Sequence, residues 1–290
     1  MMHLRDDISS CLKRGRRVLF FIVILLPGHI ISAQQLMKNS IGMEFVQIRP
    51  GTVKIGEFHP PYPVPEDTVK GATRPLNMYM GEGRGFNTNE FALAKALAEK
   101  DERPGFKVRI RQTFYLGKFE VTQSQWTRVM GNNPSAFKNP DSGDRPVENI
   151  SWNDALLFID RLNAMEPQRH YRLPTEFEWE YAARSGSTTD IPWPQIEKTA
   201  NLNKTHTAAV GQKEPNAWGL YDMLGNVWEW VADYYNGKIF ADEHPPKRGS
   251  EHVLKGASFV GDVKNATYMT HAAGPGNGWD VGFRVVLEQP

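Results

Sequence analysis

All eight tryptophans of this 290-residue sequence fall between Trp126 and Trp279, the other six being Trp152, Trp179, Trp193, Trp218, Trp228 and Trp230. An indole buries more apolar surface than almost any other side chain, so the densest core belongs to this stretch. Gly 25 and Pro 20 together make 45 of 290 residues, which favours turns and loops over long regular elements. Apolar residues at 40% and charged residues at 23% are ordinary globular usage. They exclude a disordered chain, a coiled coil and a polytopic membrane protein. Lysine plus arginine 34 against aspartate plus glutamate 33 leaves a net charge of +1. No overall basic excess points to nucleic acid or to an anionic membrane surface.

The N-terminus has a different character. Lys13, Arg14, Arg16 and Arg17 form a basic run, Val18 to Pro27 is short and nearly all apolar, and Ile31-Ser32-Ala33 puts a small residue before Gln34. This is the layout of a secretory signal peptide over residues 1–33, and the apolar run is short for a transmembrane span. An uncleaved N-terminal anchor is the alternative. Cleavage after Ala33 leaves residues 34–290 as the domain and removes Cys11, the sole cysteine. Such a mature chain has no disulfide, thiolate metal site or cysteine nucleophile of its own. The expected location is extracytoplasmic, periplasmic or secreted, without membrane attachment after cleavage.

Residues 40–56 read as two short strands around an Arg49-Pro50-Gly51 turn, with Val53 and Ile55 alternating after it. Pro60, Pro61, Pro63 and Pro65 then prevent regular structure. Gly81, Gly83 and Gly85 form a loop-like series; with no strand before it and no Lys-Ser/Thr after it, it is not read as a phosphate cradle. Asn89 to Lys100 has the cap and the Ala/Leu content of a short helix. Val108 to Phe119 reads as two strands meeting near Gln112-Thr113. Thr122 with Gln125, and Ser151 with Asp154, are spaced to cap two helix starts. The second of these helices carries Ala155, Leu156, Phe158, Ile159 and Leu162 on its apolar face. Pro174 is expected at the first position of a third helix that runs through Arg184 to Gly186. From residue 187 onward the pattern is loops and short strands. Three helices before a long loop-and-strand half make an α+β chain.

Five runs stand in order along this chain. They are Phe119-Glu120-Val121-Thr122, Pro146 to Ala155 (Pro-Val-Glu-Asn-Ile-Ser-Trp-Asn-Asp-Ala), Arg172 to Arg184 (Arg-Leu-Pro-Thr-Glu-Phe-Glu-Trp-Glu-Tyr-Ala-Ala-Arg), Gly219 to Trp230 (Gly-Leu-Tyr-Asp-Met-Leu-Gly-Asn-Val-Trp-Glu-Trp) and Gly282-Phe283-Arg284-Val285-Val286. Together they resemble the formylglycine-generating enzyme, or sulfatase-modifying factor, family. The resemblance covers residues 40–56 and 107–287 and leaves 57–106 as an insertion. It implies a C-type-lectin-like fold of the sulfatase-modifying factor type: α+β, little regular structure, a small antiparallel sheet, a few helices and a loop-built surface. The same runs also make sense as architecture alone. Pro174, Thr175 and Glu178 could start a helix whose Trp179 packs inward, while Asn226, Glu229 and Asp233 need partners or an ion if buried.

The resemblance implies a chemistry for which this chain lacks residues. Sulfatase-activating members oxidise a client cysteine by means of two cysteines that hold Cu(I), a soft ion suited to thiolates. With the register fixed by Gly256-Ala257-Ser258-Phe259 and the Ala272-Ala273 pair, those two positions fall on Gly261 and Ala266. The arginine that follows the Ala-Ala pair falls on Gly274. No copper is expected, and no catalytic residue is assigned. His170, His206, His244, His252 and His271 lack metal-ligand spacing and read as scattered surface residues. A structural Ca²⁺ carries over better. The resemblance implies that the carboxylates of Asp222 and Glu229 and the carbonyls of Gly225 and Val227 hold it, hard oxygen donors around a glycine turn. Capping of turns is the other role open to Asp222 and Glu229. A second calcium position would use Asn201 and the Leu202 carbonyl.

Three functions are consistent with these residues. The first is an exported, non-catalytic binding or scaffold module for a protein or small-molecule ligand. The alternative is a cysteine-independent periplasmic oxidoreductase resembling the family's siderophore-maturation branch. The third, a formylglycine-generating oxidase, is the one whose copper ligands are missing.

Overall fold

The computed structural model describes residues 36–58, 103–189, 191, 193–237, 239, 244–261, 266–274 and 276–289, all within the compact unit Gln34–Pro290. The expected signal peptide, the Asn89–Lys100 helix and the glycine series at 81–85 lie outside the described residues. Among the described residues no helix is long and apolar enough to cross a membrane.

Local side-chain chemistry sets the helix starts. Helix α1 spans Gln123–Met130. The Thr122 hydroxyl accepts the Gln125 amide N–H at 3.3 Å, and the Gln125 side chain accepts the Thr122 N–H at 3.0 Å. Helix α2, Trp152–Met165, begins the same way through Ser151 and Asp154. Each box satisfies two amides that a helix start would leave orphaned. Helix α3 spans Glu176–Arg184, so Pro174 is not its first residue. Thr175 takes the cap instead, its hydroxyl accepting the Glu178 N–H at 3.1 Å. Pro174 sits one residue earlier, where its carbonyl accepts the Ala232 N–H. A fourth helix, α4 at Trp193–Thr199, was not expected from the sequence. Its seven residues are too few for an apolar face to repeat.

The strands are short. They are β1 (Leu36–Lys38), β2 (Glu44–Ile48), β3 (Gly51–Phe58), β4 (Arg103–Ile110), β5 (Phe114–Gly117), β6 (Tyr171–Arg172), β7 (Trp228–Tyr234), β8 (His252–Lys255), β9 (His271–Ala273), β10 (Val281–Phe283) and β11 (Val286–Glu288). A five-stranded sheet runs β1-β2-β5-β11-β6 with every neighbour antiparallel. A four-stranded sheet runs β10-β7-β8-β9, and only β10 lies parallel to its neighbour β7. Strands β3 and β4 pair with each other from Gly51↔Ile110 to Phe58↔Arg103. The ends of the 57–106 segment therefore continue a two-stranded ribbon.

The tryptophan pattern holds for the core. Trp179, Trp230 and Trp126 are all buried. Trp126 stacks on Phe158 at 5.5 Å between ring centroids, and Phe283 meets both rings edge-on. Trp279 departs from the pattern at 48% exposure.

Candidate functional site

Parallel pairing of β10 with β7 brings two of the motif runs side by side, with Gly282 opposite Glu229 and Phe283 opposite Trp230. The chain then delivers Arg284 to the fully buried Glu229. Arg284 Nε donates to Glu229 Oε2 at 2.7 Å and Nη2 donates to Oε1 at 2.6 Å. This fork is the strong bidentate geometry of a guanidinium on a carboxylate. Trp179 Nε1 of α3 adds a third donor to Glu229 Oε2 at 2.7 Å. The remaining guanidinium donors reach the carbonyls of Gly117 and Tyr221, both at 3.1 Å. One arginine thus ties β5, β7, β10 and the 221–222 loop together.

Two further carboxylates face the same guanidinium. Asp222 is buried, sits in the left-handed region at φ 52°, and accepts the Gly211 N–H at 2.7 Å. Burial pushes its carboxyl up to about 6. Glu120 is also buried, and neither oxygen meets a hydrogen-bond partner from another residue among the described residues. Burial, and then the charge of Asp222, push the Glu120 carboxyl well above its usual range. Sequence reading missed both Glu120 and Arg284, although each is a charged residue inside an apolar motif run.

The residues named for calcium lie close together. Gly225 and Asn201 form an isolated bridge, and the Asn201 carbonyl accepts the Asn226 N–H at 3.0 Å. A Cβ on Gly225 would lie 2.6 Å from the Asn201 carbonyl oxygen, so only glycine allows this approach. The Asn201 side-chain amide donates to Asn226 Oδ1 at 3.4 Å. Leu202 Cδ2 lies 3.7 Å from where a Cβ on Gly261 would stand. Val227 is fully buried. Among the described residues no three His, Cys, Asp or Glu side chains group to hold a metal by themselves. A calcium ion here would need main-chain carbonyls as well. The anionic excess around Asp222 suits such an ion, while Glu229 is already engaged by Arg284 and Trp179.

The positions matched to the copper cysteines contain no ligand side chain. Ala266 is buried. At Gly274 a Cβ would collide with the Trp230 ring, so no arginine fits there without moving that ring. Beside Gly261 stands an aromatic group. Phe137, Phe259 and Trp279 meet pairwise at 5.3–5.8 Å. Val260 is exposed next to them at 46%. The nearby carboxylates are committed to loops. Asp280 accepts the Ser258 hydroxyl at 2.7 Å, and Glu148 accepts the N–H groups of Ala136 and Phe137.

Two histidines are less exposed than the sequence suggested. The His252 ring stacks on Trp152 at 3.6 Å and on Tyr234 at 4.5 Å, and its Nδ1 is buried. His271 Nδ1 lies 3.1 Å from Glu176 Oε1 with its side chain 10% exposed. His271 borders a second buried ion cluster. There Glu180 binds Arg184 at 3.0 Å and Lys255 at 3.3 Å, and Lys255 lies 3.8 Å from Glu176.

Short sheets, a few small helices and long loops around a tryptophan core define a fold of the sulfatase-modifying factor type. The chain matches the sulfatase-modifying factor enzyme 1-like domain over residues 43–289 and belongs to that family. It is similar to the chaperone protein LppX of Paenibacillus barcinonensis, 32% identical over 236 residues, covering 60% of this chain and 79% of that protein. It is 33% identical over 167 residues to the formylglycine-generating enzyme of Thermomonospora curvata, covering 47% of this chain and 53% of that enzyme. The chain thus spans about half of that enzyme's length. In fold it resembles Treponema denticola variable protein 1, with a TM-score of 0.65 at 23% identity over 88% of this chain and 99% of that one.

Proposed function

We propose that this chain is a non-catalytic binding module that works outside the cytoplasm and holds its ligand on the face formed by Trp279, Phe137 and Val260. The observation that carries this reading is Trp279 itself. Among the described residues it is the most exposed large aromatic side chain, at 48%, and its ring meets Phe259, two residues before the Gly261 position matched to a copper cysteine. An exposed aromatic cluster on a rigid loop scaffold is a binding surface with no bond-making group of its own. The oxidoreductase alternative needs a free acid or base on this face, and the nearby Asp280 and Glu148 already hold loop groups. One relative carries a chaperone's name, and a chaperone binds without bond-making. Export rests on the basic run before Val18 and the small residue at Ala33.

The test is site-specific photo-crosslinking in the native host. A crosslinker at position 279 should give a discrete adduct, and one at Leu157, exposed on α2, should not. Equal adducts at both positions would defeat the reading. Purified protein loaded with Cu(I) should leave the cysteine of a sulfatase-motif peptide unchanged by mass spectrometry. Aldehyde formation above a no-protein control would restore the oxidase. N-terminal sequencing of the exported protein should begin near Gln34.

A structural Ca²⁺ is part of the same proposal. Its donors would be Asp222 and Glu229 with the carbonyls of Gly225 and Val227, and a second ion would use Asn201 and the Leu202 carbonyl. The support is charge: Glu120, Asp222 and Glu229 are all buried around Arg284, and Lys213 offsets only part of the charge of Asp222.

A further inference from the structure

We propose that the groove beside strand β4 binds an extended acidic peptide, which adds to the sheet as a third strand. Strand β4 pairs with β3 along one edge, and its other edge meets no strand among the described residues. Apart from that ladder, residues 103–113 make no backbone-to-backbone hydrogen bond among the described residues. A groove of about 860 Å³ lies at the C-terminal end of this strand, lined by its last three residues, 108–110, and by the following residues 111–113. That volume lies in the range of ligand-binding clefts.

The charges of the groove are unbalanced. Arg109 and Arg111 both line it, both are exposed, and neither makes an ion pair among the described residues. Glu178 and Glu288 also line it, but Arg172 holds them at 2.7 and 2.9 Å. Among the described residues two guanidinium groups therefore remain without a counter-charge. Side chains alternate along extended chain, so Arg109 and Arg111 share one face about 7 Å apart. Lys107 precedes them on that face and is also exposed. The partly buried Phe177 and Val108 give the groove an apolar lining.

Chemistry separates the possible occupants. A strand edge presents alternating N–H and C=O groups, and only a chain of amides can match both. Phosphate polymers and lipid headgroups offer acceptors alone. An extended peptide with carboxylates at every second residue repeats at the same 7 Å or so, which sets them opposite Arg109 and Arg111. Bidentate pairing of guanidinium with carboxylate then fixes the register.

Fluorescence anisotropy of a labelled (Thr-Glu)₄ peptide with the full chain tests this. Binding should weaken as salt rises. It should fall at least tenfold in the double variant Arg109→Glu/Arg111→Glu, which should instead bind (Thr-Lys)₄. Methylation of alternate peptide amides should also weaken binding at least tenfold. Both arginines are exposed, and an unchanged melting curve would show that the variant is folded. No binding at millimolar peptide, or equal binding by the charge-reversed variant or by the methylated peptide, would overturn the proposal. Trp279→Ala should leave this binding intact, so its outcome is separate from that of the Trp279 face.

Discussion

Two buried ion clusters share Trp179 and differ in their charge balance. On one side, Glu176 and Glu180 face Arg184, Lys255 and His271, and Lys255 also lies over the Trp179 ring at 5.5 Å. Its two glutamates are held by cations of the same chain, so it works as a staple among α3, β8 and β9; beside it, burial and the charge of Glu176 push the Asp233 carboxyl up to about 6. On the other side, Trp179 donates to Glu229 in a group of three carboxylates around Arg284. That group carries an excess of negative charge that burial makes costly. Protons, a cation, or both must complete it. A cluster that holds its own cations adds stability without an added ion. The unmatched one makes stability depend on pH, and the proposed calcium would add to that dependence.

The largest effect should come from the two cations. Arg284→Met removes the guanidinium that faces three buried carboxylates and should cost about 3–5 kcal/mol in urea unfolding. Lys255→Met leaves Glu180 still held by Arg184 and should cost less, about 2–3 kcal/mol. Equal losses would erase the distinction between the clusters.

Calcium should act on one cluster only. At an ion concentration about 100 times the Kd the gain is roughly 2.7 kcal/mol, or about 5–10 °C in Tm for a domain of this size. Asp222→Asn should abolish the response to a chelator, whereas Lys255→Met should keep it. Identical melting curves with and without chelator, together with metal analysis showing no bound ion, would rule out the proposed calcium.

Proton linkage should be visible next. The folded Asp222 carboxyl lies at about 6 against 3.8 for the free group. In chelator its contribution to stability is therefore fully present below about 3.8 and is lost as pH rises through about 6, on the order of 3 kcal/mol. Calcium needs the ionised carboxylates, so its own contribution should grow over that window. Melting temperatures measured from pH 4 to about 7, with and without the ion, would show opposite slopes.

The smallest effect should be that of Glu120→Gln. In chelator at neutral pH it removes a buried acid without a partner and should raise stability by up to about 1 kcal/mol. With calcium present the gain should shrink or reverse. A loss of several kcal/mol in chelator would mean that Glu120 has a partner its surroundings do not reveal.

What the sequence revealed follows the range of each interaction. The caps at Thr122 and Ser151 were legible because donor and acceptor lie three residues apart. The family runs were legible because each is a contiguous string. The third helix start was placed two residues early, at Pro174 instead of Glu176, because proline is also at home at a first helical position. Helix α4 has too few turns for an apolar period. The Arg284 cluster joins residues from 120 to 284, and no spacing rule connects them. A usable signal did exist: Glu120 and Arg284 each interrupt an apolar run, and a charge in such a run must find a partner. Trp279 was counted with the core because its type, rather than its neighbours, was used to place it.

The position of β11 has a consequence for synthesis. This strand, Val286–Glu288, lies between β5 and β6 in the interior of the five-stranded sheet. Strand β5 therefore lacks one neighbour, and β6 is left without any, until residues 286–288 have been made. The ribosome must finish nearly the whole domain before the sheet can close. Up to that moment β1, β2 and β5 can pair with one another, but β6 has no strand to join.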